Sequence, residues 1–199
     1  VRAGLALALL LAAAPAWAEL PALFGIAGPK AQAPAIHIGP DTHAPVLERL
    51  TPAQGPIEVT AYSDDGRWGR VNTGEQSGWV EMSRLAPLDL PGWETGEMGL
   101  ACFGTEPFWS LLFFLPSHRA EFHTPDNGGV ELGTDAGALP ATRFPTTLAI
   151  PFSGTHEGMA VVRQGECSDG MSDNAFGLEA QVYFRGDTAG LSGCCRLAP

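Results

Sequence analysis

No cysteine precedes Cys102, although the chain of 199 residues holds 4 of them. A redox or metal site built on thiolates is therefore excluded from the first half. Positive charge is scarce: 11 Lys and Arg stand against 22 Asp and Glu, a formal net charge of −11. Such a chain repels nucleic acid and anionic lipid. Long helical patterns are absent, while 25 Gly and 17 Pro punctuate the sequence. That combination excludes a helical bundle and favours short strands joined by turns. Beyond the opening residues no apolar run approaches the length of a membrane span. Several catalytic signatures are missing as well. There is no H-x-H or H-E-x-x-H pair, no G-x-S-x-G elbow, no phosphate-binding Gly loop and no dinucleotide fingerprint.

What is present begins with "VRAGLALALLLAAAPAWA". One positive charge, an apolar run and an Ala16-Trp17-Ala18 ending have the form of a secretory signal peptide cleaved after Ala18. The expected location is periplasmic or secreted, with no membrane insertion once the signal is removed. The cysteines of an exported chain are expected in two disulfides. A bond between the neighbours Cys194 and Cys195 is disfavoured by ring geometry. If both lie on a strand they point to opposite faces, so that one reaches Cys102 and the other Cys167. A four-cysteine zinc site is the rival, and its usual C-x₂₋₄-C spacing is missing.

The Pro/Gly-rich passage "LAPLDLPGWETGE" divides the chain. The expected organisation is a signal peptide at 1–18, a first domain at 19–88, a linker at 89–96 and a second domain at 97–199. In the first domain short strand-like runs alternate with the turn signals "GPDTHAP" and "SDDGR", as in a small barrel. "IHIGPDTHAPVLERL", "GRWGRVNTGEQSGWV" and "SRL" together resemble a bacterial SH3 (SH3b) domain. Ile36, Gly39 and Pro40 match the family's opening. Pro45, Val46 and Leu47 match its second strand, and Trp68, Val71, Gly78, Trp79 and Val80 match the rest. Ala35 and His37 replace the Asn and Arg usual there. The resemblance implies a module that binds cell-wall or peptide ligands. Trp68 and Trp79 either line a groove for such a ligand or serve as core tryptophans in a small barrel.

In the second domain about eight strand-like runs suggest an all-β, antiparallel, closed or nearly closed barrel, with a sandwich as the alternative. "CFGTEPFW", "CSDGMSDNAF" and "LSGCCR" resemble a family of exported bacterial proteins marked by G-x-E-P-F-W, C-x-D-x-M-S and a terminal G-C. That resemblance implies a small β-barrel envelope protein, similar in architecture to the META and lysozyme-inhibitor barrels, and implies no catalytic residues. In "GTEPFW", Glu106 and Trp109 either mark a pocket mouth or form a corner that closes the barrel. In "GECSDGMSDNAF", Asp169 and Asp173 lack the alternate spacing of an EF-hand. They read as turn-capping carboxylates or as pocket residues, with Met171 plugging apolar surface. The expectation is a non-enzymatic envelope protein without cofactor or metal, its SH3b module contacting peptidoglycan or an envelope protein. The alternatives are a cell-wall hydrolase or transferase and an inhibitor of lysozyme-like enzymes.

Overall fold

The structure, a computed structural model, describes residues 19–28, 33–135, 137–141 and 145–199. The expected signal peptide, residues 1–18, lies outside them. Eight short strands come first: β1 (Ala22–Ile26), β2 (Ala35–His37), β3 (Val46–Arg49), β4 (Ile57–Val59), β5 (Ala61–Tyr62), β6 (Trp68–Thr73), β7 (Gln76–Glu81) and β8 (Leu85–Pro87). They form a three-stranded sheet, β4-β1-β8, and a five-stranded sheet, β3-β2-β7-β6-β5. The chain passes from one sheet to the other through Thr60, between β4 and β5. Ile36, Ile57, Val59, Val71 and Val80 meet between the sheets with Phe24, Leu50 and Leu85 as one buried cluster.

Nine strands follow: β9 (Gly99–Thr105), β10 (Phe108–Phe114), β11 (Arg119–Thr124), β12 (Asn127–Gly133), β13 (Leu139–Pro140), β14 (Thr147–Gly154), β15 (Gly158–Cys167), β16 (Phe176–Phe184) and β17 (Leu191–Ala198). Their order is β12-β11-β10-β9-β17-β16-β15-β14, and β12 pairs β14 through Leu132 and Gly154 to close an antiparallel barrel. The two-residue β13 lies beside β14. Alternate residues of each strand point inward. Leu148, Ile150, Ala160, Val162, Leu178, Ala180 and Val182 are among those that fill the interior, each almost wholly buried. An eight-stranded barrel is just wide enough for side chains to fill, and this one is filled. Among the described residues, no helix is long and apolar enough to cross a membrane.

The two parts share material. Sheet β4-β1-β8 is covered on both faces. Phe24 and Ile57, cross-strand partners, enter the first core. Leu23, on the opposite face of β1, enters the barrel's cluster. The segment expected as a linker is also built in. Trp93 has no exposed surface, belongs to the barrel cluster, and donates its indole N–H to the Leu20 carbonyl at 3.2 Å.

Candidate groove beside the barrel

Cys194 and Cys195 are neighbours on β17, so their side chains leave on opposite faces. Cys195 points inward and bonds Cys102, its cross-strand partner on β9. Cys194 bonds Cys167 at the end of β15. The second bond ties the start of the 167–176 loop to the outside of the barrel wall. Asp169 then shapes the loop. Its Oδ1 accepts the backbone N–H of Met171 at 3.0 Å and of Ser172 at 2.8 Å, and its Oδ2 accepts the Ser172 hydroxyl at 2.8 Å. Partial desolvation opposes ionisation there, but the Ser172 and Met171 donors outweigh it and hold the Asp169 carboxyl below the usual carboxylate range. The loop also meets the β9–β10 corner, where the Thr105 hydroxyl donates to the Asp169 carbonyl at 2.8 Å.

Beyond Asp169 the loop docks on the β6–β7 hairpin of the first sheets. The Asp173 N–H donates to the Glu75 carbonyl at 2.8 Å, and the Ser77 N–H donates to the Asp173 carbonyl at 3.2 Å. Asn174 donates its side-chain amide to the Gly74 carbonyl, and the Ala175 N–H reaches the Ser77 hydroxyl at 2.8 Å. Arg70 on β6 pairs with Glu166 at 3.0 Å.

Loop and corner together form walls above the outer faces of β9, β17, β16 and β15. Between them lies a groove of about 910 Å³. Its floor carries Val161 and Arg163 from β15, Gln181 from β16 and Ser192 from β17. Arg163 donates to Glu179 across the strands at 2.9 Å. Glu106 and Asp169 both line the groove, and Phe108 and Met171 stand exposed on it, at 54% and 70% of their full surface. Met171, expected to plug apolar surface, instead presents its thioether to solvent.

The other candidate residues lie elsewhere. Asp173 is at the hairpin contact and outside the groove. Trp109 is buried in the barrel cluster, with Gly104 and Gly193 against its indole. Trp68 is buried on the face of β6 opposite Val71, edge-on to His37 at 5.5 Å. Trp79 is half-buried beside Arg70, its cross-strand partner. Only Glu106 and Asp169 of the six are brought together. Phe108, which stands beside Glu106 and Trp109 in the corner read from sequence as a possible pocket mouth, lines the groove. Arg163 and Gln181 escaped sequence reasoning as site residues, although the period of two along β15 and β16 puts both on the outer face.

A second cleft of about 420 Å³ lies between the two parts, lined by Leu50, Glu58, Phe103, Asn174, Phe176 and Arg196 among others. Glu58 as a residue is half-exposed, yet its carboxyl is buried. Oε2 accepts the Leu197 N–H at 3.2 Å and Oε1 has no partner among the described residues. Burial pushes this carboxyl up to about 7, against the opposing pull of the Leu197 N–H and the Arg196 charge.

Among the described residues no cluster of His, Cys, Asp and Glu is arranged to hold a metal ion. Comparison of the chain with protein-family models, curated proteins and solved structures returns no match.

Proposed function

We propose that this chain is an exported, non-enzymatic envelope protein of a bacterium, working in the periplasm, that recognises a partner through the groove beside the barrel. The observation that carries this reading is the contrast between a filled barrel interior and an open groove of about 910 Å³ on its outer wall. Ligands bind in concave sites with apolar walls and a few placed polar groups. The groove has this make-up, with Phe108, Met171 and Val161 beside Glu106, Arg163 and Gln181. Two disulfides and the signal-like opening support an oxidising compartment. No histidine is among the groove's lining residues, and Ser172 is engaged as a turn donor to Asp169. Both features support binding over hydrolysis.

The first sheets act in this reading as an SH3b-type module that braces the loop. Its two matched tryptophans are buried or half-buried, which favours a packing role for them. Electrostatics favours an envelope protein over peptidoglycan as the partner. A chain of net charge −11 meets the carboxylates of cell-wall peptides unfavourably. The test is titration of the isotope-labelled full chain with muropeptides and with peptide pools, followed by amide chemical shifts and by the mass of the ligands. Shifts at Phe108, Asp169, Met171 and Gln181 with unchanged ligand masses are expected. Shifts confined to the Trp79 face, or a change in muropeptide mass, overturn the reading.

A further inference from the structure

We infer that the occupant of the groove is an extended peptide segment of about four or five residues that carries lysine or arginine beside a large apolar side chain. The inference rests on the groove being the recognition site and adds the chemistry of what it takes.

Charge is the first ground. Glu106, Glu166, Asp169 and Glu179 face one guanidinium, Arg163, within the groove. Arg163 is already committed to Glu179, and Glu166 is committed to Arg70 from the first sheets. Glu106 and Asp169 remain without a cationic partner among the described ion pairs. Asp169 is held ionised by its turn donors, so its negative charge is fixed into the wall rather than neutralised. An anionic ligand meets uncompensated carboxylates there, whereas a cationic one completes the charge pattern.

Apolar surface is the second ground. Phe108 comes from the corner and Met171 from the loop, both line the groove, and both are mostly exposed. An exposed aromatic ring and a flexible thioether lining one groove suit a large apolar side chain on the ligand. A simple polyamine would leave that surface uncovered, so the occupant carries both a cation and an apolar group.

Topology sets the third. Each floor strand is hydrogen-bonded on both sides: β9 to β10 and β17, β17 to β16, β16 to β15, and β15 to β14. With no free edge, the floor cannot capture a peptide as an added strand. Recognition then runs through side chains, which makes it dependent on ligand sequence. Four strands about 4.8 Å apart span roughly 14 Å, the reach of four to five extended residues at ~3.3 Å each.

Isothermal titration of the full chain with three short peptides tests this. One alternates Lys with Phe and Leu, the second replaces Lys by Gln, and the third replaces Lys by Glu. The basic peptide is expected to bind, to lose affinity as salt rises from 50 to 300 mM (~10-fold by screening of exposed charges), and to perturb Phe108 and Met171. Glu106→Gln should weaken it about 2–5-fold, the range of an exposed ion pair. Phe108→Ser should weaken it more than ~10-fold, as for an aromatic anchor. Both substituted residues are exposed, so an unchanged unfolding temperature shows that the fold is intact. Equal binding of the Gln or Glu peptide overturns the cationic assignment while leaving the groove as the site. Binding of no peptide, with muropeptides shifting the same groove residues, overturns the peptide assignment alone. A groove that responds to neither overturns the underlying functional reading.

Discussion

At the residue scale, Trp109 shows how tightly the barrel is packed. An indole fits inside because the two inward positions nearest it are Gly104 and Gly193. A methyl group on Gly104 would meet the indole nitrogen, and one on Gly193 would meet the ring and the Phe103 carbonyl. Backbone blocks the second position and cannot swing aside. Gly193→Ala is therefore expected to cost about 1–3 kcal/mol or more through overpacking, read by chemical denaturation. Glu106 offers the contrast. It is exposed at the corner, so Glu106→Gln should change stability by less than about 0.5 kcal/mol. A loss greater than 1 kcal/mol would assign Glu106 to the architecture instead of to recognition.

At the scale of elements, the 167–176 loop does two jobs. Its first half makes a groove wall, and its second half binds the β6–β7 hairpin. Removing the Cys167–Cys194 bond by replacing both with Ser should free the loop. Faster amide exchange is expected at Ser172, Asp173 and Ser77. Replacing Cys102 and Cys195, both buried in the barrel, should instead lower global stability by about 2–5 kcal/mol. Equal exchange in the two double variants would show that the loop is held by the hairpin alone.

The limits of the sequence reading lie at this same scale. Strands β6, β7, β9, β10 and β16 were legible because apolar residues alternate and Gly or Pro ends the runs. That Cys194 and Cys195 bond separately, one to Cys102 and one to Cys167, was legible because adjacent strand residues face opposite ways. Which neighbour takes which partner was not, since it depends on which face of β17 turns inward. The loop's docking was not. It combines backbone groups of Glu75, Ser77 and Asp173, which every residue carries, with the Asn174 and Ser77 side chains, polar groups far apart in the sequence that no local pattern connects. Asp173 therefore read as a turn-capping or pocket carboxylate, whereas its peptide group makes the recorded contacts. Trp93 escaped for another reason. It stands alone in a Pro/Gly-rich passage, and one tryptophan has no periodicity to announce that it is buried.

At the scale of the whole molecule, the sheet β4-β1-β8 joins the two cores, and Glu58 sits on its barrel-facing side beside Leu23. Its carboxyl, raised from 4.5 to about 7, holds a proton in the folded chain that the unfolded chain releases. Stability from this group is present below about pH 4.5 and lost as pH rises through about 7. The loss is up to about 3 kcal/mol. Glu58→Gln should flatten that dependence and unfold at a higher temperature than the parent at pH 8. An unchanged pH profile would mean that Glu58 is solvated where the two parts meet.

The central claim, recognition through the groove, is tested most directly by photo-cross-linking in the periplasm of cells that export the chain. A photoreactive phenylalanine derivative, which keeps the aromatic ring, replaces Phe108 in one strain and Val46, exposed on β3, in the other. The account predicts a discrete adduct from position 108 that the basic peptide competes away, and none from position 46. Adducts from both positions, or an adduct at 108 that the peptide leaves untouched, would contradict it.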